Sequence, residues 1–462
     1  MTLRHALASL LLLGATNGLA AGRIPYGGEL LVAHTGSTEP LGDPTVSDSP
    51  VNAALFGLLS RPVCRLDANG APQLAIAREM SRSMPQTVHL TLPSLALANT
   101  LARAWMRIAG PEAPTPYRAL LFPVSTEARQ LSANGSTLEL PLSFPWPDME
   151  RTLCHPALAL PLTTVAPSLG PFAATANKGL LEARLGYPEG RPYLNQVLLR
   201  PTDDRGLARM WAAKEKEVQV ELGAPPEPGV LTGPALYATY LTFSPRRVPA
   251  DFRQAFESAI DREDLTRLFV HAPAVPMPYL LPPALLPQPP KPRQGAPATG
   301  GAKAVTLVYD ATNEDQRAVA ERIQVKLHDR GYKVALEPLS RTLLRIRWAK
   351  GDFDLMLQSL MLPPIPGPAL AVVLDAAGRK DLLGVELPLI GSLADPMARD
   401  ARARERAVAL GPTVPILPLY AQGLGVRVAP ELGGLVMDAQ GLPLFDGVYL
   451  APAEPPPAAT QR

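Results

Sequence analysis

Between Ala304 and Pro338, two apolar runs flank a helix whose start and stop are both written into the chain. "AVTLVYD" reads as a strand, Asn313 and Gln316 form a capping box, and Val319, Ile323 and Leu327 recur at helical spacing. Gly331 ends the helix, and "YKVALEP" is a second strand. Strands joined through a helix lie parallel in a sheet, since a tight turn would return the chain antiparallel. "SRTLLRIRWAKGDFDLMLQSLML" repeats the logic, with a helix over 342–349 and a strand over 353–360. Two such units in succession predict an α/β fold whose sheet is partly parallel and covered by helices on its faces.

The rest of the chain must supply further cores. At 462 residues and 47% hydrophobic content it exceeds what one core holds, roughly 250 to 300 residues, so two or three are expected. Its 54 prolines lie well above an average usage of about 5% and sit between apolar periodic segments, which predicts stiff, extended connections. The most proline-rich segment, 272–303, reads as an extended connector with a flexible latter half. Upstream, "GGELLVAHTG" gives a short strand over 30–33 that ends in polar turn residues. Val51, Leu55, Leu58 and Leu59 have helical spacing, Val88, Leu90 and Leu92 alternate as in a half-buried strand, and "LALANTLARAWMRIAG" is a helix closed by Gly110. These pieces suit a small α/β subdomain. "TYLTFS" reads as a strand with one buried face, stopped by Pro245 and Pro249. Asp251 caps the helix that follows, with Phe252, Phe256, Ala259 and Ile260 as its apolar stripe, and Asp261 caps another.

The first residues, "MTLRHALASLLLLGATNGLAAG", read as a cleaved export signal. Arg4 and His5 form a basic start, the run 6–15 is apolar, and Gly18, Ala20 and Ala21 supply small residues. The apolar run falls short of the about 20 residues that span a bilayer, and no cysteine stands near the cleavage point to carry a lipid. The expected location is the periplasm of a Gram-negative bacterium. An oxidising compartment permits a disulfide between Cys64 and Cys154, although sequence leaves open whether they are bridged or buried free. A formal net charge of +2 with interspersed signs gives no footprint for nucleic acid.

Reactive constellations are missing. There is no G-x-S-x-G elbow, no H-E-x-x-H and no phosphate loop: "GAPATGG" places Gly301 where that loop needs lysine. The six histidines are dispersed and the two cysteines have no ligand spacing, so no metal or other cofactor is expected. Asp203-Asp204 beside Arg200 and Arg205 reads as a solvated turn, and Asp352 and Asp354 flank the start of a strand. An enzyme is not expected.

Five segments, in chain order, carry a resemblance. "PQLAIAREMSRS", "LGPFAATANKGLLEARLGYPEGRPYLNQV", "YLTFSPRRVPADFRQAFESAIDREDL", "GDFDLMLQS" and "PTVPILPLY" resemble the extracytoplasmic solute-binding proteins of ABC importers, family 5, typified by dipeptide and oligopeptide binders. The third matches that family's strand, proline and Ala-Ile-Asp-Arg helix, with Ser244 in place of an asparagine. The resemblance implies the two-lobed periplasmic binding protein fold of class II, with an extra subdomain, mixed sheets in each lobe and a hinge between. Mapped here it gives a signal over 1–21, a first lobe built from 22–60, 161–244 and 423–450 together with an inserted subdomain over 61–160, a second lobe over 245–422 and a tail over 451–462. It also implies a monomer that captures a peptide-like or other small organic solute and passes it to ABC permease subunits of the inner membrane. The ligand-binding residues it implies are Ser37, Thr38 and Glu39 after the first strand, Phe172 in a hairpin, Tyr240, and Ser359, Leu360 and Met361. The chain departs from the family where peptide binders carry a tryptophan and an ammonium-binding aspartate. Here "LQSLMLPPIPGPA" has neither. A buried ammonium needs a paired charge, so either a more apolar or uncharged ligand is expected, or a degenerate homologue serving as an envelope structural or interaction protein.

Overall fold

The computed structural model describes residues 24, 26–36, 42–45, 49–125, 131, 133–164, 168–212, 218–248, 250–288 and 304–451. The export signal, the tail beyond Ala451 and the latter half of the proline connector lie outside the described residues.

Two large mixed sheets form the lobes. The first has seven strands, in the order Leu231–Thr232, Gly425–Val428, Val220–Leu222, Glu29–His34, Gln196–Pro201, Leu180–Ala183 and Phe172–Ala174. Its central strand, Glu29–His34, runs parallel to both neighbours, and the outer pairings are antiparallel. Leu30 and Val32 pack into one core with the helix Pro50–Leu59, and Leu31 and Ala33 into another with Leu207, Met210 and Val218. Burial on both faces explains why the strand reads as a continuous apolar run rather than an alternation.

The second sheet has six strands, in the order Ala274–Pro276, Ile416–Gln422, Tyr237–Phe243, Leu355–Met361, Ala304–Asp310 and Lys333–Leu339. Ala304–Asp310 is parallel to Lys333–Leu339 and to Leu355–Met361, as the two βαβ units require. The helix Glu314–His328 packs Val319, Ile323 and Leu327 against Leu307 on one face, while Arg341–Lys350 packs Leu344 and Trp348 against Val308 on the other. Asn313 caps the first of these helices by accepting from Gln316 N. The reciprocal arm of the expected capping box is missing, because the Gln316 side chain reaches away to Asp310 and Ser359. Asp261 accepts from the amides of Glu263 and Asp264 as expected. The helix expected to start at Asp251 begins one residue earlier, at Ala250.

Tyr237–Phe243 is buried at every position and sits inside the six-stranded sheet, between Ile416–Gln422 and Leu355–Met361. The sequence reading gave it one buried face and placed it at the end of the first lobe. Local pattern marks a strand, but it holds no information on which sheet the strand joins. The chain returns to the first lobe within two residues of Gln422, through Gly423 and Leu424. A β-carbon on Gly425 would fall 2.0 Å from the carbonyl oxygen of Ala224, so the crossover is built by backbones in direct contact.

The segment 61–160 holds a four-stranded antiparallel sheet of Glu79–Met84, Thr87–Thr91, Thr137–Pro141 and Ala133–Asn134, backed by the helix Leu95–Ala109. Cys64 and Cys154 are joined by a disulfide that closes this segment at its base. Its interior continues without a break into the three helices Pro366–Ala376, Lys380–Gly391 and Pro396–Leu410. All 11 residues of Pro366–Ala376 are buried.

Candidate functional site

Parallel strands deliver their carboxyl ends to a common edge, and open α/β sheets hold ligands in the crevice outside those ends. Here the two lobes turn such edges toward each other across a cavity of about 570 Å³. From the first lobe come Thr35 and Gly36 after the central strand, Thr202 and Asp203 after Gln196–Pro201, and the start of the helix Pro50–Leu59. From the second come Thr312 to Asp315 after Ala304–Asp310, with Tyr237, His271, Arg341 and Gln422.

The polar groups on the second-lobe side are held by one another. The Asp315 carboxylate accepts from the His271 amide at 3.2 Å and from Gln422 Nε2 at 2.9 Å, and lies 2.8 Å from His271 Nδ1. Asp310 accepts from Arg341 Nε at 2.9 Å and from the Thr312 amide and hydroxyl. Gln316 accepts from the Asp310 amide and donates to Ser359 Oγ, which shares a 2.8 Å hydrogen bond with Thr239. The guanidinium and carboxylates are thus fixed in position before any solute arrives. Behind Tyr237 and Arg341 a smaller recess of about 40 Å³ opens between Tyr117, Trp348, Ser359 and Leu360.

The residues expected from sequence divide into three groups. Ser37, Thr38 and Glu39 lie outside the described residues, directly after Thr35 and Gly36, which line the cavity. Ser359 and Leu360 border the smaller recess. Phe172, Tyr240 and Met361 are core residues, 0%, 0% and 1% exposed, and none lines either space. Tyr240 donates its hydroxyl to the Leu280 carbonyl, and burial raises its pKa well above the ordinary tyrosine value. Met361 has its amide bonded to the Tyr117 hydroxyl at 2.9 Å and its carbonyl to His155 Nε2 at 3.0 Å. The Ala157 amide donates to His155 Nδ1, so the imidazole carries its proton on Nε2 and is neutral, and burial pushes its pKa down to about 4.

Sequence reasoning missed Tyr237, Arg341, His271 and Asp315, and took Asp203 for part of a solvated turn. The signal that finds most of them is positional. Asp203, Asp315 and Arg341 stand just beyond the carboxyl ends of strands that prove parallel. Asp352 and Asp354 lie elsewhere, paired with Arg247. Among the described residues no group of three His, Cys, Asp or Glu side chains could hold a metal ion, and no helix is long and apolar enough to cross a membrane.

Solved structures similar to this chain include the murein tripeptide binding protein MppA of Escherichia coli, at 16% identity and a TM-score of 0.74 over 93% of this chain and 100% of that one. The periplasmic binding protein DppA of Helicobacter pylori, in complex with the peptide STSA, gives 16% identity and a TM-score of 0.75 over 93% of this chain and 99% of that one. AgaA of A. tumefaciens, in complex with agropinic acid, gives 17% and 0.74 over 92% and 99%. These likenesses establish the two-lobed fold. No curated protein matches the chain. The family model described as bacterial extracellular solute-binding proteins, family 5 middle region, matches residues 98–378, more than half of the sequence. The chain therefore belongs to the family 5 bacterial extracellular solute-binding proteins.

Proposed function

We propose that this protein is the periplasmic capture component of an ABC importer, which encloses a small organic or peptide-like solute between its lobes and presents it to a membrane permease. The observation that carries the reading is the cavity of about 570 Å³ at the facing strand ends, within the range of about 300 to 1,000 Å³ typical of small-ligand sites. The solutes bound by DppA and AgaA support the breadth of class, a tetrapeptide in one and agropinic acid in the other. A solute touching both lobes favours the closed arrangement by its differential contacts, and closure is what a permease can recognise.

Within that reading the solute lies against Tyr237, Asp203, Asp315 and Arg341, not against the 361–365 segment. The Met361 amide and carbonyl already have partners, and Leu362 and Ile365 are fully buried. The protein acts as a monomer after removal of its signal, without catalysis.

Native mass spectrometry of the purified mature protein, followed by thermal shift against peptides, opine-like acids and sugars, tests the proposal. A co-purified solute is expected, or a stabilisation of about 2.7 kcal/mol at a hundredfold excess over Kd. Replacing Arg341 by alanine should raise Kd by about tenfold or more and lower the shift accordingly. No bound mass and no shift with any class would sink the importer reading and leave the envelope-interaction alternative.

A further inference from the structure

The family resemblance assigns the inserted subdomain to the first lobe. We propose instead that residues 61–160 travel with the second lobe as one rigid body, and that the seven-stranded lobe alone moves when a solute is captured. This rests on the capture function above.

Three kinds of contact weld the subdomain to the second lobe. The apolar one is a single core in which Leu101, Tyr117, Leu120 and Trp146 of the subdomain are continuous with Leu370, Leu374, Leu387 and Ala403 of the second-lobe helices. The ionic one is a pair of buried bridges. Arg399 holds both Asp148 oxygens at 3.1 Å, with the two side chains 5% and 3% exposed. The same guanidinium donates to the carbonyls of Leu393 and Ala394. Arg118 Nε lies 2.7 Å from Asp375, whose side chain is 1% exposed, and its guanidinium sits 4.9 Å from the Trp348 ring. The third is backbone contact. A β-carbon on Gly391 would fall 2.2 Å from the Pro145 carbonyl oxygen, and Tyr117 and His155 bond both polar groups of Met361. Pulling this interface apart would strand buried charges, which is strongly unfavourable.

The joint with the first lobe is of another kind. No fully buried member of the first lobe's main core comes from 61–160. Contact there runs through the two chain crossings, the Ser60 hydroxyl bonded to the Leu160 carbonyl, the Ala439 amide bonded to the Leu66 carbonyl, the pairs Arg61–Asp446, Arg65–Glu189 and Arg107–Asp43, and the Arg61 guanidinium over the Tyr187 ring. A void of about 50 Å³ lies in the seam, between Phe56, Arg61, Cys154 and Phe445. The bond from Gln440 to the Leu362 carbonyl links the first lobe's return segment to the second lobe beside the crossover, since Gly441 packs on Gly233 and Gly233 on Gly423.

Electron–electron distance measurements on the ligand-free protein test this, with spin labels on unnatural side chains so that the disulfide stays intact. Leu185, Met84 and Met397 are 77%, 63% and 78% exposed and mark the first lobe, the subdomain and the second lobe. The expected result is one narrow Met84–Met397 distance together with broad or bimodal Leu185–Met84 and Leu185–Met397 distances. A broad Met84–Met397 distance with a narrow Leu185–Met84 distance overturns the proposal, as do three narrow distances. In a D148N/D375N variant the Met84–Met397 distribution should broaden, and an unchanged one would count against the bridges as the weld. These readings need no solute, so they stand or fall separately from the binding test.

Discussion

At the scale of single residues, two buried histidines, one at a strand end and one in a turn, make the fold sensitive to acid. Burial pushes both His34 and His155 down to about 4 from an ordinary value of 6.5. The folded state then refuses a proton that the unfolded chain accepts. Stability is therefore full above about pH 6.5 and falls as pH drops toward 4, by about 3 kcal/mol for each fully buried group. His155→Gln keeps a donor toward the Met361 carbonyl and removes the titration, so its melting temperature should fall less between pH 7 and pH 4.5 than that of the parent. Parallel profiles would show that His155 contributes nothing to acid sensitivity. Glycines at the crossover make a second residue-scale case. Gly425→Ala must push the Ala224 carbonyl aside and should cost about 2 kcal/mol in urea unfolding. Gly57→Ala, inside the helix Pro50–Leu59 with nothing within 4 Å, should instead gain up to about 1 kcal/mol.

Among the elements, the disulfide is the clearest lever. Cys64 and Cys154 are 90 residues apart, and a loop of that length constrains the unfolded chain by about 4 to 5 kcal/mol. C64S/C154S should lose a stability of that order by urea denaturation, and the loss should vanish when the parent is reduced before the measurement. The pair also shows what sequence can and cannot reveal. Its residue types and compartment were legible, but pairing depends on distances that only the folded chain supplies. The βαβ units were legible because caps, stripe and terminating glycine all lie within one stretch of chain. Strand ends were legible too, yet the site was not, because Asp203, Asp315 and Arg341 meet only after non-adjacent strands choose their sheet order. The resemblance points to Tyr240, whereas Tyr237 lines the cavity, and three positions along one strand decide between a core and a cavity.

For the molecule as a whole, the distribution of apolar contacts sets how it comes apart. Local and sub-global openings follow contiguous packed units. The largest core unites the subdomain with the helices Pro366–Ala376, Lys380–Gly391 and Pro396–Leu410, while the seven-stranded sheet has separate cores whose buried members include only Tyr237 and Met361 from the second sheet. A two-state transition is then not expected, since two units of different composition meet mainly at the crossover and across the cleft. Hydrogen exchange in rising urea should show the amides of Thr87–Thr91, Leu95–Ala109 and Pro366–Ala376 losing protection together. Glu29–His34 and Gln196–Pro201 should lose it in a separate step. Joint loss by the subdomain and the seven-stranded sheet, with Pro366–Ala376 still protected, would mean that the short hydrogen-bonded neck outweighs the shared core. The same measurement on C64S/C154S separates the two sources of subdomain stability. Removing the cross-link should lower the first step without moving the second, because neither cysteine belongs to the cores of the seven-stranded sheet.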